Sequence, residues 1–194
     1  MVSTELVLVL LALFAVASLY SSVGLGGASG YLAVLSLTTF ASSESIWLKQ
    51  YAWSLNLIVA GIAFWRYHKS GHHVRNLSLP FISASVPMAA LGGFMLVEGA
   101  MYDALLSLAF ILAAWRLLSG DAGVSEAARP SATKAAVVGG GIGLASGVIG
   151  LGGGILLLPA LMLGRWAKAK EAAATTALFV LSLIHISEPT RPVL

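Results

Sequence analysis

One peptide occurs twice in this chain, and it resists being helical. Residues 21–37 read SSVGLGGASGYLAVLSL, and residues 146–163 read SGVIGLGGGILLLPALML. Gly24, Leu25, Gly26 and Gly27 fall on Gly150, Leu151, Gly152 and Gly153, each 126 positions later (24 to 150). Both copies lie inside long apolar stretches, where a glycine costs a helix about 1 kcal/mol relative to alanine. In lipid a broken helix persists only where other protein or a polar cavity satisfies its freed backbone groups. Paired breaks at matching places in two halves of a chain point to a transporter binding site.

Composition makes the apolar stretches membrane segments. Hydrophobic residues are 58% of the 194, charged residues 10%, and the mean hydropathy is +0.92. A soluble domain carries about 25% charged residues. The absence of cysteine excludes a disulfide framework, a thiol nucleophile and a cysteine-based metal site. The net charge of +3 is too small and too dispersed for a nucleic-acid partner, and it is informative only loop by loop. The N-terminus, MVSTELVLVLLALFAVASLY, has no basic stretch ahead of its apolar run, so it reads as a retained first membrane segment.

Residues 181–191, LSLIHISEPTR, resemble at every position the conceptual translation of a transposase adapter used in sequencing libraries. On that reading native sequence stops near Val180, inside an apolar segment. His185, Glu188 and Arg191 then carry no functional information.

Apolar segments fall at about 5–23, 30–40, 50–65, 77–97, 102–118, 134–149, 154–163 and 172 onward. A full crossing takes about 20 residues, so 30–40 and 154–163 are too short to cross alone. Loop charge supplies a side. Arg66, Lys69 and Arg75 put 66–75 in the cytoplasm; Glu98 and Asp103 put 98–103 outside. Arg165, Lys168 and Lys170 against Glu171 place 164–171 inside, and the nearly neutral 116–134 loop leans the same way. Trp65, Tyr67, Tyr102, Trp115 and Trp166 stand near segment ends, as interfacial aromatics do. The stretch 134–163 therefore enters from inside and returns, while 5–40 enters from outside and returns. The expected fold is an all-α polytopic membrane protein with two inverted repeats, each holding a glycine-broken, membrane-dipping helix pair. The expected division is 1–118 as first repeat, 119–133 as cytoplasmic linker, 134–180 as an incomplete second repeat and 181–194 as a non-native tail.

The repeat continues past the glycines. Ala52, Trp53, Ser54, Leu55 and Asn56 fall on Ala174, Thr175, Thr176, Ala177 and Leu178, at an offset of 122 (52 to 174). A helix that starts just after a glycine knot presents unpaired N–H groups and the positive end of its dipole. With no side chain in the way, an anion can approach those donors. The expected substrate-binding residues are Gly24, Gly26, Gly27, Ser29, Ser54, Asn56, Gly150, Gly152, Gly153, Thr175 and Thr176, with Ser22 as a further neutral donor. The competing reading is close helix packing, since small residues let backbones approach in lipid. Lys49 and Lys168 are candidates to gather anions at the two mouths, or simply to set topology.

Other chemistry is less well served. Neither knot has dinucleotide spacing, because Ser29 and Ile155 occupy the last glycine position of GxGxxG. The run Gly139–Gly143 reads as a packing face. Gly27–Ala28–Ser29–Gly30 matches the GxSG motif of rhomboid intramembrane proteases, but His68, His72 and His73 sit in a polar loop and no apolar segment supplies a base. That histidine cluster reads as a solvated loop. No charged residue lies at the centre of an apolar segment, which argues against a proton relay or a carboxylate cation site. No catalytic residue, metal or cofactor is expected. A purely structural membrane subunit is the remaining alternative.

VGLGGASG near the start, GVIGLGGGILLLPALM after mid-chain, KAKEAAATTALFV and PMAALGGFM together resemble the TauE/SafE-type sulfite exporters, also called four-toluene-sulfonate uptake permeases. The resemblance covers residues 5–180. It implies a multi-pass inner-membrane permease of about eight segments with a duplicated architecture, carrying sulfite, sulfonates or related organosulfur anions by export or by uptake.

Overall fold

The computed structural model describes residues 4–42, 45–95, 104, 107, 108, 111, 115, 127–149 and 153–184, and among them every regular element is helical. They are α1 (Thr4–Ser22), α2 (Ala28–Ser36), a 3₁₀ turn (Thr39–Ser42), α3 (Ser45–Lys69), α4 (Arg75–Phe94), α5 (Ala132–Ile149), α6 (Gly154–Leu163) and α7 (Ala169–Leu183). Ala104, Ser107, Leu108, Ile111 and Trp115, in the expected 102–118 segment, are also helical. α1 and α4 are long and apolar enough to cross a membrane by length and composition. α2 and α6, of 9 and 10 residues, are the short arms.

Each short arm folds back beside the long helix before it. Glu5 Oε1, in the first turn of α1, accepts a hydrogen bond from Thr39 N just past α2, at 3.0 Å. Ala128 N, ahead of α5, donates to the carbonyl of Arg165, just past α6, at 2.9 Å. Both helix pairs therefore begin and end together.

Three contacts orient the rest. Trp53 Nε1, early in α3, donates to Ile184 O at the end of α7 (2.9 Å), whereas Arg66, late in α3, shares a cavity with Lys170 at the start of α7. α3 and α7 are antiparallel. Ser78 and Thr175 share a 3.1 Å hydroxyl contact near the starts of α4 and α7. The Lys69 end of the bundle thus holds the starts of α4 and α7.

α4 and α5 run parallel. A Cβ on Gly139 would come within 2.6 Å of the Phe81 carbonyl oxygen, and Cβ atoms on Gly143 and Gly147 would overlap the carbonyl oxygens of Ser85 and Ala89. Matching steps of four on both helices make one continuous seam of backbone contact, as small-residue stripes do in lipid. The glycine run of α5 is a packing face, as its sequence indicates.

The core gathers Phe81, Leu157, Leu161, Ala172, Phe179 and Leu183 from α4, α6 and α7. α7 is central, with Ala172 to Ala174 and Ala177 all at most 2% exposed. α1 buries only Val9 among its residues, while Leu8, Leu11 and Phe14 face outward. Ile58, Ile62 and Trp65 do the same on α3. An apolar surface of this extent on a soluble monomer would demand a partner; here hydrocarbon solvates it.

Candidate functional site

The first glycine knot is two helix ends in succession. Gly24, at φ 77°, closes α1: its N–H bonds Ser21 O (3.1 Å) and Leu25 N–H bonds Tyr20 O (2.8 Å), the paired pattern that a left-handed residue permits. Gly27, at φ 94° and ψ 12°, then opens α2. Gly153 opens α6 at φ 68° and ψ −13°. The first helical bonds match as well: Tyr31 N to Gly27 O and Leu157 N to Gly153 O, both 3.0 Å. No side chain caps either start. The N–H groups of Ala28, Ser29 and Gly30 therefore precede any partner inside α2, and that of Gly154 has none inside α6.

Both helix starts open on one cavity of about 20 Å³. Gly26 and Gly27 line it from the first knot, Ala28 and Ser29 from α2, Gly154 and Ile155 from α6, Asn56 from α3, and Tyr20, Leu25 and Val180 complete it. No lining residue is charged. Each helix N-terminus carries roughly half a positive charge, so the two together present about one. That volume is on the order of one water molecule's.

Three hydroxyls on residues packed beside the knots are buried without hydrogen-bond partners among the described residues: Tyr31, Ser146 and Thr176. All three residues are at most 2% exposed. Tyr31 Oη lies 2.9 Å from where a Gly27 Cβ would sit, Ser146 Oγ 2.9 Å from that of Gly153, and Thr176 Cγ2 3.2 Å from that of Gly154. An unpartnered buried hydroxyl costs about 1–3 kcal/mol, and each of the three lies against a glycine of a knot or next to one, outside the lining of the cavity.

Of the residues expected from the sequence, Gly26, Gly27, Ser29 and Asn56 line the cavity. Gly153 and Thr176 adjoin it through Gly154, and Gly24 rests on the backbone of Ala173. Ser54 is elsewhere, on the exposed face of α3 with its hydroxyl on Gln50 O (2.9 Å). Thr175 turns to Ser78. Ser22 Oγ donates to Leu19 O (2.6 Å) on an exposed surface. Gly150 and Gly152 lie outside the described residues, as does the Lys49 side chain; Lys168 is exposed at the N-cap of α7. Ser29 Oγ contacts Tyr20 Oη at 3.3 Å.

The sequence reading missed Tyr20, Tyr31 and Ser146. Tyr20 and Ser146 are themselves 126 positions apart, so extending the repeat four residues upstream of its glycines reaches both.

A family model described as "Sulfite exporter TauE/SafE" matches residues 8–187. The chain belongs to the TauE/SafE family. A curated relative in Sinorhizobium fredii (strain NBRC 101917 / NGR234), described as "Probable membrane transporter protein y4hK", is 32% identical over 181 residues. The alignment spans 91% of this chain and 72% of that protein. No solved structure matches. Membership of TauE/SafE makes this a membrane transporter.

Proposed function

We propose that this TauE/SafE protein carries small oxyanions, with sulfite, sulfonates and related organosulfur compounds as its substrates, and is no enzyme. The observation that supports this reading is the shared cavity, on which two uncapped helix starts converge with no charged side chain. Two half-charges of the same sign, supplied by backbone, attract an anion and repel a cation. Neutral donors from Ser29, Asn56, Tyr31 and Thr176 would replace part of the hydration that the anion leaves behind.

The cavity is too small for a sulfonate, so α2 and α6 must part for one to enter. Paired broken helices that move against each other around a fixed site are a recurrent carrier device. On this reading the helix pairs closed by Glu5–Thr39 and by Ala128–Arg165 are the inverted repeats, within residues 1–118 and 134–180, joined by the 119–133 linker. The basic Lys69 end is cytoplasmic, and the protein is a multi-pass inner-membrane permease. None of the described residues 181–184 lines the cavity, although Leu183 packs in the core and Ile184 O accepts a hydrogen bond from Trp53.

Proteoliposomes containing the purified protein test this. Labelled 4-toluenesulfonate and sulfite should cross faster than in protein-free vesicles, and 4-methylbenzylammonium, a cation of similar shape, should not. Equal passage of the cation, or no passage of either anion, contradicts the proposal. Ser29→Ala should retain most transport, since a neutral hydrogen bond is worth roughly 0.5–1.5 kcal/mol.

A further inference from the structure

A second cavity, of about 430 Å³, lies at the Lys69 end of the bundle. Ser21 and Ser22 at the end of α1, Arg66 and Tyr67 late in α3, His72 in the following loop and Lys170 in the first turn of α7 contribute to its lining. Its volume falls within the range of small-molecule sites, about 300–1,000 Å³.

Its unspent hydrogen-bonding groups have one character. The Ser21 and Ser22 hydroxyls donate to carbonyls of their own helix, Ser18 O (3.1 Å) and Leu19 O (2.6 Å). Tyr67 Oη donates to Ser22 O at 2.6 Å. The Arg66 guanidinium and the Lys170 ammonium have no carboxylate partner among the described residues. Glu171, beside Lys170, is occupied by the backbone N–H of Lys168 (3.2 Å). His72 Nδ1 is shut off from solvent and has no partner. Two cations with no carboxylate partner among the described residues, around a cavity of this size, suit one oxyanion, since guanidinium and ammonium both recognise sulfonate and phosphate oxygens.

The cavity also lies next to the glycine site. Gly24 sits on the backbone of Ala173, one helical turn along α7 from Lys170, so a Cβ on Gly24 would overlap the Ala173 carbonyl. Gly24 is two residues past Ser22 of the cavity lining, so the basic cavity and the first glycine knot are neighbours along the chain.

We propose that the cavity at Arg66 and Lys170 is an antechamber that binds one soluble oxyanion, of the sulfonate or phosphate type, before it reaches the glycine knots. This rests on the carrier reading above. A lipid phosphate has the same chemistry; the lining offers an acyl chain little beyond Ile62 and Ala63, which favours the soluble anion.

Calorimetric titration of the purified protein in a neutral detergent tests the proposal without requiring transport. 4-Toluenesulfonate is the first probe and dihexanoyl phosphatidylglycerol the second. Arg66→Gln with Lys170→Gln should weaken 4-toluenesulfonate binding at least tenfold and flatten its salt dependence, while Arg66→Lys retains most of it. If the double variant fails to fold, Lys170→Gln alone, at an exposed position, should still weaken binding several-fold. Unchanged 4-toluenesulfonate affinity in a folded variant overturns the proposal. So does a result in which only the lipid loses affinity, which makes the cavity a headgroup site. Charge-dependent binding in a protein that moves no anion in proteoliposomes upholds the binding site and removes the carrier reading instead.

Discussion

Gly27 and Gly153, 126 positions apart, hold the same left-handed backbone, φ 94° and 68°, each one residue ahead of a short helix. An L-residue in that region costs roughly 1–2 kcal/mol. A Cβ on Gly27 would also lie 2.8 Å from Tyr31 Cζ, and one on Gly153 would lie 2.7 Å from Phe179 Cε1. Gly27→Ala and Gly153→Ala should therefore each lower stability by at least about 1 kcal/mol. Thermal unfolding in detergent checks this; two variants with parental midpoints would show that the left-handed starts are not required.

The glycines of α5 differ sharply in what they face. Gly143 abuts the Ser85 carbonyl, whereas a Cβ on Gly141 would meet nothing within 4 Å. Gly143→Ala should push α5 off α4 and cost about 1–3 kcal/mol by overpacking. Gly141→Ala should be neutral or stabilise by up to about 1 kcal/mol through helix propensity. Unfolding midpoints of the two single variants give the comparison directly.

Ser78 and Thr175 join α4 to α7 through a buried hydroxyl pair at 3.1 Å. Ser78 Oγ also reaches Val74 O at 3.1 Å, so the pair is part of a short chain. A double-mutant cycle with Ser78→Ala and Thr175→Val should give a coupling of about 0.6 kcal/mol, the size typical of such bonds between membrane helices. A coupling of zero would mean that α4 and α7 are held by packing alone.

Part of the cavity's lining was legible because glycine's backbone demands are local. The break at Gly24–Gly27, the left-handed Gly153 and the turn-back of each short arm follow from glycines in an apolar setting. Side-chain direction was less legible where residues were grouped by nearness in sequence. Ser54 and Asn56 are two apart and so cannot share a helix face, and Thr175 and Thr176 point about 100° apart. Asn56 reaches the cavity while Ser54 does not, and Thr176 adjoins Gly154 while Thr175 meets Ser78. Helix ends ran past the apolar segments. The expected 50–65 is α3, 45–69, because backbone bonding continues through Arg66 and Lys69 at the interface. α7 starts at Ala169 rather than near 172, where Glu171 reaches back to the Lys168 N–H. The partners of the basic cavity come from three helices, and no spacing in the sequence joins Arg66 to Lys170.

The loop after α3 carries a pH signature. His68 and His73 bring their Nδ1 atoms to 3.3 Å, and Phe64 packs edge-on against His73 at 5.2 Å. Among the described residues no three metal-ligating side chains converge. Burial lowers the His73 pKa below 6.5, with further lowering from His68 and Arg75. A folded-state value below the unfolded one means that the unfolded chain binds the proton more readily, so stability is full above about pH 6.5 and declines as pH falls below it. His73→Gln should remove part of that decline. Unfolding midpoints of the two proteins at pH 7.5 and pH 5.5 measure it; identical pH dependence would exclude His73 as a source.

The central claim is that the two glycine knots form the anion site, and a matched pair of valines tests it. In proteoliposomes, Gly153→Val should abolish 4-toluenesulfonate uptake, because the side chain fills the approach beside Ser146 and Phe179. Gly141→Val, the same change where a Cβ meets open space, should leave uptake near the parental rate. Thermal unfolding of both variants establishes that they are folded. A folded Gly153→Val protein that transports at the parental rate would contradict the assignment, and the knots would then be packing devices.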